Sequence, residues 1–201
     1  LGDVYKRQEG DYIVKFKNVI ALIFASLFVV MALVAAQHSF AIPKASDSTG
    51  STESSASVPW KAPSENKAYP KWSEMRKPWI YVSLRQQKVY IHGNGKVQYV
   101  MNCSTGMPTS PTPTGTYHIQ KERGYSFYNA KSHEGAHYWV SWHDHGVYLF
   151  HSVPTNKAGK YVVSEAEKLG VPVSHGCVRL SIPDAKWMYK TVPFGTKVVI
   201  H

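Results

Sequence analysis

The chain has 201 residues, 43% of them hydrophobic and 13% aromatic, and a formal net charge of +10. This length suits one ordinary domain with additional segments, and the composition is that of a folded protein. The basic excess favours anionic surroundings such as an acidic membrane or a cell-wall polymer. No Lys/Arg-rich run or nucleic-acid-binding motif accompanies it, which argues against a nucleic-acid partner.

The first 41 residues predict an exported protein. Residues 1–14 leave the start uncertain, because "LGDVYKRQ" resembles translated adapter sequence from a sequencing library. Residues 15–41 combine a basic start, an apolar run (Val19–Ala36) and a small-residue cleavage pattern. A cleaved signal peptide and an uncleaved membrane anchor both fit. Either predicts an extracellular or cell-wall protein whose only membrane contact is this segment.

Residues 42–77 predict a linker. They are dominated by Ser, Pro, Lys and Ala, a composition that buries too little apolar surface to offset the entropy of ordering it. The three aromatic residues Trp60, Tyr69 and Trp72 either dock on the following domain or stay in solvent.

Residues 78–201 predict one mostly-β domain. Short alternating runs of β-branched and aromatic residues predict strands, with Asn94-Gly95 as a hairpin turn. Further strands are predicted at "TYHIQ", "YWVSW", "VYLFH" and "TKVVIH". A capping box from Ser164 to Glu167 predicts a short helix that ends at Gly170, and a second helix is predicted over about residues 184–191. Together these elements predict a β-sandwich or barrel-like fold with two short helices.

The strongest chemical signal is the sequence "SHGC" followed by Arg179. A nucleophilic cysteine needs a base within reach and donors for the oxyanion that its attack creates. Gly176 permits a tight turn whose N–H groups, including that of Cys177, could point at an oxyanion, and Arg179 could bind a carboxylate. A structural cysteine in a buried turn and half of a metal site are the alternatives.

His151 ends the apolar run "VYLFH", where a polar side chain is out of place unless it faces a cleft. A histidine at a strand end and a cysteine in a turn can meet as base and nucleophile although 26 positions separate His151 from Cys177. A structural histidine satisfied by hydrogen bonds is the alternative explanation.

Taken together, "FHSVP" and "SHGCVRLS" resemble the catalytic domain of the L,D-transpeptidase (YkuD-like) family. The resemblance extends from about Trp79 to His201 and includes the "PTPTGTYHI" and "VPFGTKVVIH" segments. It implies that Cys177 is the acyl-accepting nucleophile and His151 the general base.

The resemblance also implies roles for five neighbouring residues. His175 would orient the site and complete an oxyanion hole with the backbone of Gly176 and of the cysteine. Ser174 would hold a histidine by a hydrogen bond, and Arg179 and Ser152 would bind substrate. The 22 residues between His151 and the motif exceed the family's usual spacer, so residues 155–173 are expected to border the cleft.

The implied reaction is acyl transfer between peptidoglycan stem peptides. The cysteine attacks the third residue of a tetrapeptide stem, and the resulting thioester passes to an amine of another stem to form a 3→3 cross-link. Interception by water or by a free D-amino acid gives carboxypeptidase or exchange activity. No metal or cofactor is implied, and β-lactams of the carbapenem type are expected covalent inhibitors. A non-catalytic peptidoglycan-binding module is the alternative.

Two further patterns bear on these alternatives. The segment "HEGAH" matches the H-E-x-x-H motif of zinc proteases, but a strand pattern follows it at once and no long helix surrounds it. A metal site built from His143, His145, His151 or Cys177 is a second possibility. The other cysteine, Cys103, lies in an apolar strand, and we expect a buried free thiol rather than a disulfide.

Overall fold

The computed structural model describes residues 58–201, so the predicted leader and the first part of the predicted linker lie outside the described residues. A short 3₁₀ turn (Trp72–Glu74) comes first. The strands are β1 (Trp79–Ser83), β2 (Lys88–Gly93), β3 (Lys96–Ser104), β4 (Gly115–His118), β5 (Arg123–Asn129), β6 (Glu134–His143), β7 (Tyr148–Ser152), β8 (Val178–Leu180) and β9 (Lys197–Ile200). The helices are α1 (Val163–Ala166) and α2 (Ile182–Thr191). Neither helix in this part of the chain is long and apolar enough to cross a membrane.

All nine strands of the described residues join one sheet in the order β4-β9-β1-β2-β3-β8-β7-β6-β5. Most neighbours are antiparallel, but β9 pairs with β1, and β8 with β7, in parallel. The sheet curls into a half-barrel, which confirms the predicted mostly-β fold with two short helices. The late strand β8 enters the middle of the sheet, so the segment just before it reaches the centre of the domain.

The described residues contain one large hydrophobic core and a second, smaller cluster of Val153, Ala166 and Leu169. In β2 the burial alternates along the strand, with Val89 and Ile91 fully buried, as a sheet with one covered face requires. The largest buried side chains include Trp142, Tyr99 and Phe150. Helix α2 packs against β6 and β7 and closes the core.

The structure confirms some predicted elements and corrects others. Asn94 and Gly95 both have positive φ (56° and 76°), as the predicted type of hairpin turn requires. The capping box was wrong, because Ser164 lies inside α1 and the helix instead begins after Val162 without a side-chain cap. Strand β5 was not predicted, since its residues alternate less clearly between apolar and polar.

Residues 58–77, which the composition assigned to the linker, pack against the domain. The Tyr69 ring stacks on Trp187 of α2 at 5.6 Å, and Trp72 lies 6.1 Å from the same ring. Trp60 contacts Tyr161 at 6.0 Å. All three aromatic residues therefore dock on the domain, which was one of the two alternatives left by the sequence. We call residues 58–77 the strap.

A buried carboxylate anchors the strap. Asp184 is fully buried in the first turn of α2 and accepts hydrogen bonds from the Ser64 hydroxyl (2.5 Å) and the Tyr69 hydroxyl (2.6 Å). Burial raises the pKa of Asp184, whereas these hydrogen bonds act in the opposite direction. Burial and the neighbouring carboxylate raise the pKa of Tyr69 above its ordinary value, so its hydroxyl keeps its proton and donates.

Replacing Tyr69 by Phe should lower the free energy of unfolding by about 1–3 kcal/mol, because the buried carboxylate of Asp184 loses one of its donors. Urea unfolding of the full chain measures the change. Tyr90→Phe is the matched control, since the Tyr90 hydroxyl donates to Gln86 at an exposed position, and it should cost less than about 0.5 kcal/mol. Equal losses in the two variants would contradict the anchoring role of Asp184.

Candidate active site

A cavity of about 250 Å³ gathers most of the predicted site residues. Its lining includes Cys177, His151, His175, Ser174 and Arg179. Three larger surface cavities, of about 490, 480 and 650 Å³, lie elsewhere in the described residues, and none of them is lined by a cysteine. The small cavity is therefore the candidate active site.

The parallel pairing of β7 with β8 explains why two distant residues share this cavity. In the register, His151 lies opposite Arg179, and Phe150 lies opposite Val178. Successive side chains of a strand point to opposite faces, so alternate residues of both strands share one face. Leu149, His151, Cys177 and Arg179 all line the cavity accordingly.

The same alternation places the Ser152 hydroxyl away from the cavity. Ser152 is fully buried, and its hydroxyl accepts a hydrogen bond from the His137 N–H (3.0 Å) and donates to the Val153 carbonyl (2.9 Å). It does not line the cavity. Its contribution to the site is its own carbonyl, which accepts a hydrogen bond from Nδ1 of His151 at 2.6 Å. The structure thus does not bring the Ser152 side chain to the position expected of a substrate-binding group.

The turn before β8 needs glycine at position 176. Gly176 has a φ of 109°, and a Cβ there would lie 2.9 Å from the Tyr148 ring. The Ser174 hydroxyl stabilises the turn by donating to the Cys177 carbonyl (2.6 Å) and accepting from the Gly176 N–H (3.1 Å). In the described residues, these backbone contacts replace the predicted hydrogen bond from Ser174 to a histidine.

The loop between β3 and β4 clamps this turn. Thr112 is buried, and its hydroxyl donates to the Gly176 carbonyl (2.9 Å) and accepts from the Gly106 N–H (2.8 Å). Next to it, the Met107 N–H donates to the Ser174 carbonyl (2.9 Å). The Pro/Thr-rich loop therefore fixes the backbone that presents Cys177.

The cavity keeps Cys177 in its thiol form. The sulfur lies 3.5 Å from the Val147 carbonyl, in hydrogen-bonding contact. Burial raises the pKa of Cys177 to about 11, and a backbone contact with Leu149 and the charge of Arg179 only partly oppose this shift. Both cysteines are free, and Cys103 is fully buried in the core, as the sequence predicts.

His151 is neutral as well. Its side chain is 6% exposed, and its Nδ1 contact with the Ser152 carbonyl requires the proton on Nδ1, which leaves Nε2 as an acceptor. Burial, followed by the charge of Arg179, lowers the pKa of His151 to about 4. Burial therefore favours the neutral form of both the Cys177 thiol and the His151 imidazole.

Arg179 is already engaged by two carboxylates. The residue is 3% exposed, and its Nη2 contacts the Glu134 oxygens at 2.9 and 3.0 Å while Nη1 contacts Glu165 Oε2 at 3.3 Å. A substrate carboxylate would therefore have to compete with Glu134 for this guanidinium. No residue of 155–173 lines the cavity, but the segment contacts two residues that do, Arg179 through Glu165 and Gly135 through backbone hydrogen bonds with Thr155.

Glu134 is the cavity residue that sequence reasoning missed. It begins β6, lines the cavity, and places Oε2 3.5 Å from Nδ1 of His175. The sequence flagged it only as the acid of the "HEGAH" match. His133 lies in the turn before β6 and His137 lies within the strand, so the two histidines do not share a helix face. A buried arginine needs an acidic partner, so Arg179 predicts that some Asp or Glu lies beside it. The sequence does not indicate which acid this is.

The model of the L,D-transpeptidase catalytic domain family (YkuD) matches residues 77–200, and the chain belongs to this family. It is 46% identical to the putative L,D-transpeptidase YciB of Bacillus subtilis over 147 residues, which are 72% of this chain and 75% of the relative. A crystal structure of an L,D-transpeptidase from Mycobacterium tuberculosis H37Rv matches with a TM-score of 0.52 and 26% identity over 62% of this chain and 57% of that one.

A second solved structure shares the fold. It is L,D-transpeptidase 3 from Mycobacterium tuberculosis in complex with a faropenem-derived adduct, with a TM-score of 0.50 and 24% identity over 62% of this chain and 60% of that one. The chain thus spans roughly three fifths of each of these two solved chains. The resemblance drawn from the motifs is confirmed.

Alkylation of Cys177 by iodoacetamide should accelerate about tenfold per pH unit between roughly pH 6 and 9, because the raised pKa of the thiol keeps the thiolate fraction small throughout this range. Intact-mass kinetics on the Cys103→Ala variant, which retains Cys177 as its only cysteine, measure the rate. A rate that levels off near neutral pH would instead indicate a thiolate–imidazolium pair.

Thr112→Val should lower the free energy of unfolding by about 1–3 kcal/mol and slow acylation of Cys177 roughly ten- to a hundredfold, since the turn loses its clamp. Urea unfolding and single-turnover acylation measure the two effects. Thr114→Val makes the same change two positions away at an exposed site and should alter neither quantity. Unchanged acylation in Thr112→Val would rule out the clamp.

Proposed function

We propose that this chain is a cysteine-dependent peptidoglycan L,D-transpeptidase that forms 3→3 cross-links through a thioester on Cys177. The observation that carries the proposal is that Cys177 and His151 line one small cavity, beside the parallel strands β7 and β8, in a chain that belongs to this family. A non-catalytic binding module would have no need for a cysteine and a histidine in the same cavity.

In the first half of the proposed reaction, Cys177 attacks the carbonyl of the third residue of a tetrapeptide stem. Nε2 of His151 takes the thiol proton as the C–S bond forms, and then gives it to the departing D-alanine amine. Because the pKa of the thiol is raised and the pKa of His151 is lowered, the proton moves from sulfur to Nε2 during the attack rather than before it. The N–H of Cys177 is the candidate donor to the oxyanion.

In the second half, the amine of another stem attacks the thioester, a C–N bond forms, and the C–S bond breaks. Water or a free D-amino acid in place of that amine gives the carboxypeptidase or exchange product from the same intermediate. No step of this scheme calls for a metal or a cofactor.

The proposed site of action is the cell wall. The basic net charge of +10 suits an anionic polymer, and the apolar N-terminal segment suits an exported protein. That segment lies outside the described residues, so export is part of the proposal.

Incubating the full chain with a carbapenem should give a single covalent adduct by intact-mass analysis, because a strained β-lactam carbonyl acylates the same thiol. The faropenem-derived adduct of the relative with this fold supports the choice of a β-lactam probe. Cys177→Ala should remove the adduct, whereas Cys103→Ala, the same change at a buried core position, should keep it. An adduct that survives in Cys177→Ala, or none in the unaltered chain, would contradict the proposal.

A further inference from the structure

Two histidines border the candidate nucleophile in different surroundings. His151 lies on β7, is 6% exposed, and faces the positive charge of Arg179. His175 lies in the turn two residues before Cys177, and its side chain is 58% exposed. His151 is thus the buried histidine of the cavity, and His175 is the histidine that an entering molecule can reach from solvent.

Glu134 gives His175 a fixed charged neighbour. The carboxylate is held by Nη2 of Arg179 on both of its oxygens, and Oε2 also lies 3.5 Å from Nδ1 of His175. That distance is long for a hydrogen bond but within ion-pair range, so a positive charge on the imidazole ring would face a carboxylate. The Glu134 side chain remains 28% exposed at the cavity wall.

The charges around Arg179 leave this carboxylate only partly neutralised. Arg179 contacts Glu165 as well as Glu134, so one guanidinium serves two acids. Lys168 pairs with Glu165 at 2.6 Å, and neither of these two residues lines the cavity. Glu134 is therefore the acid that borders the cavity, and His175 is its neighbour there.

We propose that Glu134 positions His175 to accept a proton from the ammonium group of the acyl acceptor, while His151 serves the thiol. This inference rests on the transpeptidase function proposed above. Glu134 acts as a positioning residue, since it reaches the acceptor only through His175.

The proton transfers balance as follows. The incoming ammonium gives one proton to Nε2 of His175, whose positive charge then faces Glu134. The neutral amine attacks the thioester carbonyl and the C–N bond forms. Its second proton passes to His151, the C–S bond breaks, and His151 returns that proton to the departing sulfur of Cys177. His175 finally releases its proton to solvent, which restores the starting state.

The test separates acylation from transfer in the full chain. A tetrapeptide stem is the donor and a free D-amino acid the acceptor, and chromatography with mass detection gives the ratio of exchange product to hydrolysis product. Glu134→Gln should lower this ratio roughly tenfold or more, because the acceptor loses an assisted deprotonation. The rate of acylation by a carbapenem should fall much less, by under about threefold.

The matched control is Glu165→Gln, which removes the other carboxylate from Arg179 at a residue that neither contacts His175 nor itself lines the cavity. The exchange-to-hydrolysis ratio should stay at the unaltered value. His175→Gln changes an exposed side chain and should lower the exchange-to-hydrolysis ratio as Glu134→Gln does. The double variant should have a ratio no lower than that of His175→Gln alone, because the two residues act in one step.

Three outcomes would overturn the inference. The first is a loss of acylation and transfer together in Glu134→Gln, and the second is an equal effect in Glu165→Gln, since both would mean that Glu134 acts through Arg179. The third is that the unaltered chain forms and hydrolyses the thioester but transfers the acyl group to no amine. That result would overturn this inference and would not contradict the proposed thioester. An unaltered chain that forms no adduct would overturn the proposed function itself.

Discussion

The parallel pairing of β7 with β8 is the constraint on which the rest of the structure depends. It puts the histidine of one strand and the cysteine that precedes the other on the same face. Parallel neighbours cannot be joined by a tight turn and need a long crossover connection. The long segment between His151 and Ser174 is that connection: it starts along β6, where Thr155 pairs with Gly135, and returns to the Cys177 turn. The strand order therefore requires a long segment here, whether or not that segment also affects substrate specificity.

Buried charge holds the surroundings of Cys177 together. Arg179 links β8 to β6 through Glu134 and to α1 through Glu165, so three elements meet at one guanidinium. A buried ion must stay paired, and losing one partner is more costly than forming the pair is favourable. The same burial favours the neutral forms of the Cys177 thiol and the His151 imidazole. The ion pairs that stabilise the cavity therefore also affect the reactivity of Cys177.

Local features were predictable from the sequence and distant pairings were not. The Asn94-Gly95 turn, most strands and the "SHGC" turn follow from residue types a few positions apart. The partner of Arg179, the Thr112 clamp and the orientation of Ser152 depend on which strands become neighbours, and a single sequence does not state that order. The Ser174 hydroxyl shows the limit well: its residue type suits a turn and a histidine contact equally, and only the backbone geometry chooses between them.

The folded unit includes the strap, although the strap precedes the part of the chain that matches the family. The family match starts at residue 77, yet Ser64 and Tyr69 supply hydrogen bonds to Asp184, and the strap's aromatic rings cover Trp187 and Tyr161. A chain cut at the family boundary would leave a buried carboxylate without two of its donors and would uncover an aromatic surface suited to self-association. Truncations of this protein for crystallisation or assay should therefore retain the chain from Val58 onward.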